Sequence, residues 1–258
     1  MTAPGAAPVT VVIAARDAGE HIASCVASVA SWAAEVLVVE NDSTDDTVRL
    51  ASAEGADVFS HPFHSIGAQR NVAVSRASHD WILVLDADER CTPGLAAEVR
   101  ALVAAPAGLS AHRIPRRNFF LGREILHGGW ASDRPVRLFR RTLRYDERPV
   151  HEHVVTDGAV GTLSASLLHY TYTSLDQFFE KLSRYSRGWA AQHFERGRRV
   201  SALSVLLRPP ARFASMYLLR AGFLDGADGL VLAVLAATSV AAKYARLWAL
   251  GRADGRRR

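Results

Sequence analysis

The sequence predicts an α/β protein: a Rossmann-like, mostly parallel sheet with flanking helices, followed by a C-terminal helical extension. Three observations carry this. Short apolar runs, "VTVVIAA" (9–15), "EVLVVE" (35–40) and "WILVLD" (81–86), alternate with segments of helical spacing, the pattern of a doubly wound sheet. Two of the runs end in acids, Glu40 and Asp86, and in open α/β sheets ligands bind outside the carboxyl ends of the strands. From about residue 175 the pattern is helical throughout, so a first domain over 1–175 and a basic helical region over 176–258 are expected.

Each element has a local signal. After the first run, Ile22, Cys25, Val26, Val29 and Ala30 recur at helical spacing. Ser43 with Asp46 three residues on resembles a capping box, and Gly55 can end the helix that follows. "ADVFS" (56–60) reads as a third strand and "GAQRNVAVSRAS" (67–78) as a helix leading into "WILVLD". Thr92 and Pro93 then supply an N-cap and a first-turn residue. Residues 109–170, rich in Arg, Gly and aromatics, read as short strands and long loops, the usual home of substrate contacts. In "SLDQFFEKLSRYSRGWAAQHFERG", Leu175, Phe178, Phe179 and Leu182 share a helix face. The longest uncharged stretch beyond it, Gly229 to Ala242, is shorter than the ~20 residues a bilayer span needs. Flanking cations and scattered aromatics suit an interfacial helical hairpin, and an ordinary core helix pair fits equally.

The hydrophobic fraction of 49% is enough for a real core. Two cysteines, Cys25 and Cys91, fit neither a disulfide framework nor a zinc site, so a reducing cytoplasm is the simplest compartment. The stretch "MTAPGAAPVTVVIAAR" has no basic leader, and no signal peptide is expected. Charge is uneven. Residues 1–180 carry 16 Arg against 22 Asp and Glu, a net −6, and residues 181–258 carry 15 Lys and Arg against four acids, a net +11. Such a tail suits acidic lipid headgroups, phosphates or nucleic acid, or is a solvated helical surface.

The chemistry concentrates in D-A-D-E, Asp86 to Glu89. Carboxylates at i and i+2 past a strand end can turn into one cleft, and hard cations such as Mg²⁺ and Mn²⁺ favour carboxylate oxygens and share them with phosphates. The alternative is a set of acids favourably placed near a helix N-terminus. No G-x-x-x-x-G-K-[ST] occurs, and no G-x-G-x-x-G follows the first strand, which disfavours P-loop ATP hydrolysis and a Rossmann dehydrogenase.

"TVVIAARDAGEHIASCVASV", "EVLVVENDSTDDT", "GAQRNVAVSRASHDWILVLDADE", "GGW…RPVRLFRR" and "VHEHV", in this order, resemble glycosyltransferase family 2, with a GT-A fold, and are similar to its bacterial lipopolysaccharide-core β-glucosyltransferase branch. The likeness covers residues 8–175, and "RPPARFASMYLLRAGFLDGADGL" resembles the tail of that branch. It implies an inverting, metal-dependent transfer of a sugar from a nucleotide-diphosphate donor, a UDP-sugar first, to a glycan or glycolipid hydroxyl. Ala14 to Asp17 would lie near the nucleotide, with Arg16-Asp17 where the family commonly has Asn-Glu. Glu40 stands where many members have an Asp that helps hold the base, and Asp42 where Gly is frequent. Arg70 and Asn71 match a basic-Asn pair. Asp86 would touch the ribose or the Mg²⁺ or Mn²⁺, and Asp88 would be its main ligand. Glu152 matches the acid that takes the acceptor proton, with His151 and then Asp133 as alternative bases. Gly128, Gly129 and Trp130 match an acceptor-side loop, the glycines permitting close approach of a sugar and Trp130 stacking on it. His169, at the end of the apolar run "LSASLL", reads either as a structural histidine or as a contact to the metal or diphosphate. The +11 tail with its short apolar stretch predicts peripheral contact with the inner face of the cytoplasmic membrane, the protein itself lying in the cytoplasm.

Other classes explain less. A glycoside hydrolase also uses two carboxylates but needs no nucleotide half. A nucleic-acid binder accounts for the basic tail and not for D-A-D-E, and no nucleic acid is expected as partner. A zinc site from His151 and His153 lacks a third ligand. Polyprenyl-phosphate glycosyl transfer is the nearest enzymatic rival, differing only in acceptor.

Overall fold

The computed structural model describes residues 5–105, 108–146 and 152–255. The chain forms two compact units, Met1–Arg117 with Asp133–His169, and Asn118–Ser132 with Tyr170–Arg258. The helical region expected from 176 onward thus shares its unit with a segment from the middle of the chain.

In the first unit, the strands and helices alternate in the expected order: β1 (Ala7–Ala15), α1 (Ile22–Ala30), β2 (Ala33–Glu40), α2 (Thr47–Ala53), β3 (Asp57–Ser60), α3 (Ile66–Arg76), β4 (Trp81–Asp86), β5 (Glu89–Cys91) and α4 (Pro93–Ala104). β6 (Ala111–Arg113), β7 (Arg116–Phe120), β8 (Arg123–Ile125), β9 (Val136–Arg140), β10 (Gly161–Thr162) and β11 (Leu167–Tyr172) follow. Seven strands form one sheet in the order β10-β6-β9-β4-β1-β2-β3. β1 pairs in parallel with β2 and with β4, and β2 in parallel with β3, while β9 runs antiparallel between β4 and β6. This is the GT-A-type arrangement expected: a mostly parallel sheet with helices on its faces.

Alternation along the strands sorts the core. Val9, Val11 and Ile13 of β1, with Leu83 and Leu85 of β4, pack on Ile22, Cys25, Val26 and Val29 of α1 and on Leu95 and Val99 of α4. Val12, Ile82 and Val84 point to the other face and meet Ala73 and Val74 of α3. Two covered faces explain why these strands read as continuous apolar runs. Full burial of each such side chain contributes roughly 1.5–3 kcal/mol.

The cap signals held unevenly. The Thr92 hydroxyl accepts from Leu95 N, with Pro93 in the first turn of α4, and Ser65 Oγ accepts from Ala68 N to open α3. The capping box at Ser43 does not form. α2 begins only at Thr47, and its cap residue Asp46 makes no side-chain cap bond. Ser43 Oγ instead accepts from Asp17 N, and Asp46 pairs with Arg49, so both oxygens are spent elsewhere. Gly55, at φ +88°, ends α2 as expected.

The second unit contains a hairpin, in which Asn118 pairs with Ile125 and Phe120 with Arg123, and three helices: α5 (Leu175–Glu195), α6 (Ala202–Ala214) and α7 (Gly226–Gly255). A π turn (Ser215–Leu219) and a 3₁₀ turn (Gly222–Asp225) join α6 to α7. Phe120, Ile125, Phe178, Met216, Leu232, Ala233 and Leu235 form its core. Of the four residues expected on one face of α5, Phe178 is buried while Leu175 and Phe179 are exposed. One expectation is corrected. The helical stretch Gly222–Ala253 is long and apolar enough, by length and composition, to cross a membrane, because the helix continues through Asp228 and Lys243, the charges that bound Gly229–Ala242. Only 22% of its most apolar window is buried.

Candidate functional site

The strand register brings the expected acids to one edge of the first unit. Ala14 of β1 lies beside Asp86 of β4, and Ala15 beside Glu40 of β2, at the carboxyl ends of all three strands. Past Asp86 the chain turns through Ala87 and Asp88 into β5. Glu89 is 0% exposed and closes this turn, its Oε2 accepting from Asp86 N at 2.7 Å. The third acid of D-A-D-E is therefore the buried brace of the turn that starts at Asp86.

Arginines resolve the mutual repulsion. Asp86 is engaged by Arg70 on one oxygen and by Arg137 and Arg116 on the other, the last at 3.0 Å. Arg116 Nε also lies 2.6 Å from Glu89 Oε1, and Arg116 Nη1 2.9 Å from Asp133 Oδ2. Burial alone would raise the pKa of Asp86, but Arg137, Arg70 and Arg116 hold it well below the usual carboxylate range. Burial works against the charge of Arg137, and Asp86 and Glu89 outweigh it, raising that pKa well above normal.

Asp88 is differently placed. Its Oδ1 lies 3.6 Å from His169 Nε2, because His169 of β11 pairs antiparallel with Glu89 of β5. A carboxylate and an imidazole thus share one spot beside the turn. Among the described residues, no three His, Cys, Asp or Glu side chains converge into a metal cage.

Glu152 comes to this cluster from 66 residues downstream of Asp86. Its Oε1 accepts from Arg70 Nη1 at 2.6 Å, while Arg70 Nη2 donates to Asp86. The segment that delivers it is anchored twice. Tyr145 bridges to Val154, and Asp146 N donates to His153 O at 2.9 Å. Asn71 holds the other side, donating to Tyr145 O and accepting from Tyr145 N, each at 2.9 Å. Gly67 allows the approach, since a Cβ there would meet Asp146 O at 2.5 Å. His151 lies outside the described residues. Glu40 turns its Oε2 to Ser43 N at 3.0 Å; burial tends to raise its pKa, and the bonds from Ser43 and Ser60 lower it. Asp17, at φ +45°, accepts from Thr44 N at 2.8 Å, so the loops after β1 and β2 are tied together.

Gly128, Gly129 and Trp130 belong to the second unit. Gly128 and Gly129 take φ of +66° and +90°, conformations that glycine adopts without strain. Gly128 N donates to Arg220 O at 2.9 Å, and a Cβ on Gly129 would strike the Arg220 side chain. Asp225 accepts from Leu126 N at 3.2 Å and His127 N at 2.9 Å, and His127 Nδ1 lies 3.0 Å from it. Trp130 packs edge-on to Phe120, with its carbonyl accepting from Asn118 Nδ2 at 2.6 Å.

Sequence reasoning brought Asp86, Arg70 and Glu152 to one place and passed over Arg116 and Arg137 as its partners. The signal for Arg137 was present: an arginine inside the apolar strand "VRLFR" is buried at cost unless it is paired.

A mostly parallel sheet that ends in D-A-D-E, with an acid on a separate segment facing it, defines a GT-A-type α/β protein. Residues 10–168 match Glycosyl transferase family 2, and the chain belongs to that family. Over 253 residues it is 28% identical to "Lipopolysaccharide core biosynthesis glycosyltransferase LpsC" of Rhizobium meliloti (strain 1021), covering 92% of this chain and 93% of that one. It is 26% identical to "Uncharacterized glycosyltransferase RT0209" of Rickettsia typhi, over 91% of this chain and 85% of the relative. Among solved structures, it resembles glucosyl-3-phosphoglycerate synthase from Mycobacterium tuberculosis in complex with Mn²⁺, uridine-diphosphate and phosphoglyceric acid. The TM-score is 0.38 at 23% identity, over 43% of this chain and 44% of that one. Mannosyl-3-phosphoglycerate synthase from Rubrobacter xylanophilus also has a TM-score of 0.38, at 24% identity, over 43% and 41%. The chain thus spans less than half the length of either structure, and these likenesses are too remote to carry a functional argument.

Proposed function

We propose that this chain moves a sugar, with inversion, from a nucleoside-diphosphate donor, a UDP-sugar first, to a hydroxyl of a lipopolysaccharide-core or related cell-envelope glycoconjugate. One observation carries the reading: Arg70 holds Glu152 beside Asp86 at the carboxyl edge of the sheet. A base is thereby fixed next to the place where the family sequence expects the donor.

Asp88 and His169 fit a divalent cation. Carboxylate and imidazole are both donors for Mn²⁺, and the carboxylate suits Mg²⁺, so these two side chains would hold the ion. Asp86 suits that role less, since both its oxygens accept from arginines. Its work is to fix Arg70, Arg116 and Arg137 where negative charge builds up. A cation held there would supply neutralisation of the charge on the departing diphosphate. Arg116 and Arg137 face the same charge and need no reorganisation to meet it. Glu152 takes the proton of the acceptor hydroxyl as that oxygen attacks the anomeric carbon, a contribution of about 10²–10⁴-fold. The oxygen facing Arg70 keeps its hydrogen bond from the guanidinium, and the second carboxylate oxygen receives the proton, which leaves the carboxyl neutral. Glu40 and the linked loops after β1 and β2 border the nucleotide base. In the second unit, the family likeness assigns acceptor contacts to Gly128, Gly129 and Trp130.

Cys25 and Cys91 are both free and buried, and burial pushes the Cys91 thiol up to about 12, which leaves neither as a reactive thiol. Incubation with a panel of nucleotide sugars and Mn²⁺ or Mg²⁺, followed by product detection on membrane extract, tests the reading. Donor turnover with no product on any envelope acceptor would remove the acceptor assignment. Failure to bind any nucleotide sugar would remove the donor assignment.

A further inference from the structure

We propose that the second unit docks on an anionic lipid surface through the outer face of α6 and the turn that follows it. Leu203, Leu206 and Leu207 recur at i, i+3 and i+4 on α6, and all three are exposed, Leu206 at 68%. No residue of α6 is buried. The turn adds exposed Leu218, Leu219, Phe223 and Leu224, Leu219 being 83% exposed. A helix of 13 residues extends about 20 Å, too short to cross a bilayer and long enough to lie in its surface.

Charge selects the occupant. Residues 196–224 hold six arginines, Arg196, Arg198, Arg199, Arg208, Arg212 and Arg220, and not one acid. A second copy seated on the same face would set two such segments against each other, since a twofold interface brings a patch onto itself. Anionic headgroups neutralise them while the leucines enter the acyl boundary. The turn runs directly into Asp225, which accepts from Leu126 N and His127 N, and Arg220 O accepts from Gly128 N. Docking therefore presents the loop of Gly128 to Trp130 to the lipid surface. That last step rests on the proposed acceptor role of the loop and makes the acceptor lipid-borne, whereas docking itself does not depend on it.

Flotation of the full chain with vesicles of phosphatidylcholine alone, and of phosphatidylcholine with phosphatidylglycerol, tests docking without any donor. Binding to the anionic vesicles alone is expected, with release at high salt. The double variant L206D/L219D should bind roughly tenfold less or worse, since two apolar anchors become charges. R208E/R212E should also lose binding. L206D/L219D should keep the wild-type melting temperature and donor hydrolysis, which separates loss of docking from loss of fold or of catalysis; Arg208 stacks 4.7 Å from the Tyr244 ring centroid, so R208E/R212E is paired with donor hydrolysis as its control. Equal binding to neutral vesicles overturns the proposal. So does resistance to high salt and alkali, which would assign α7 as a span. A soluble dimer broken by L206D/L219D would give the face to a second copy.

Discussion

Arg70 ties Glu152 to Asp86: one guanidinium nitrogen donates to Glu152 Oε1 at 2.6 Å and the other to Asp86 Oδ1. Three residues far apart in the chain become one charged unit, with Arg70 buried at its centre. A lysine presents a single point charge and cannot serve both carboxylates in this forked way. Arg70→Lys is therefore expected to fold and to lose roughly ten- to a hundredfold in kcat through misplacement of Glu152. Arg70→Ala leaves two partly buried carboxylates short of a partner and should lower stability in urea denaturation, by less than the loss of a fully buried pair, because Asp86 keeps Arg116 and Arg137. Unchanged kcat in the lysine variant would show that the pairing is not catalytic.

Glu152→Gln keeps the shape and removes the base. Donor affinity should stay near that of the wild type, while kcat with the true acceptor falls about 10²–10⁴-fold. The acceptor must be present, because donor hydrolysis can proceed with water. A variant that turns over normally would move the search to Asp133, although Arg116 already occupies its Oδ2 at 2.9 Å.

Asp86 and Asp88 should separate by assay. Asp88→Ala is expected to weaken nucleotide-sugar binding in calorimetry and to abolish its sensitivity to EDTA, with little change in melting temperature. Asp86→Asn leaves Arg70, Arg116 and Arg137 without their shared counter-ion. It should lower stability by about 3–5 kcal/mol whether or not metal is present. Equal stability of the two variants would argue against the arginine-anchor role.

Gly67→Ala probes the same segment through the backbone. The added methyl would stand 2.5 Å from Asp146 O, so the chain carrying Glu152 must shift. A lower kcat with an unchanged donor Kd is the expected split. Loss of both would point to a wider disturbance of α3.

Stability should depend on acid in a set direction. Asp86 is held well below its ordinary value, against the opposing pull of burial, by Arg137, Arg70 and Arg116. Glu35, where burial also opposes, is lowered by bonds from Ser78 and Thr10. Each binds fewer protons folded than unfolded, so its contribution is complete above the unfolded values of about 4. It drains away as the pH falls from there toward the folded values. Thermal melts should be flat in this respect near neutrality and drop below about pH 4. In Asp86→Asn that drop should be shallower.

The order of strands and helices, the ends of α4 and the carboxyl-edge location of Asp86 and Glu40 were legible because each rests on local signals. Alternation over a few residues makes a strand, Thr92 before Pro93 caps a helix, and a strand that ends in acid points to an edge. The roles of Arg116 and Arg137 were not. They reach Asp86 because β9 enters antiparallel beside β4, so its first residues lie where β4 ends, and because the chain leaving β6 emerges at the same edge. Strand order is a long-range property that no window of sequence encodes. Asn71 likewise looked like a ligand contact, and the fold spends its amide on the backbone of Tyr145. The outward apolar face of α6 was hidden for a related reason. Helical spacing shows that Leu203, Leu206 and Leu207 share a face, and only the packing of α7 and the turn after α6 decides that this face meets solvent. Sequence alone determined the local conformations and the family. Tertiary structure decided which charges neutralise one another, because that depends on distances across chain segments dozens of residues apart.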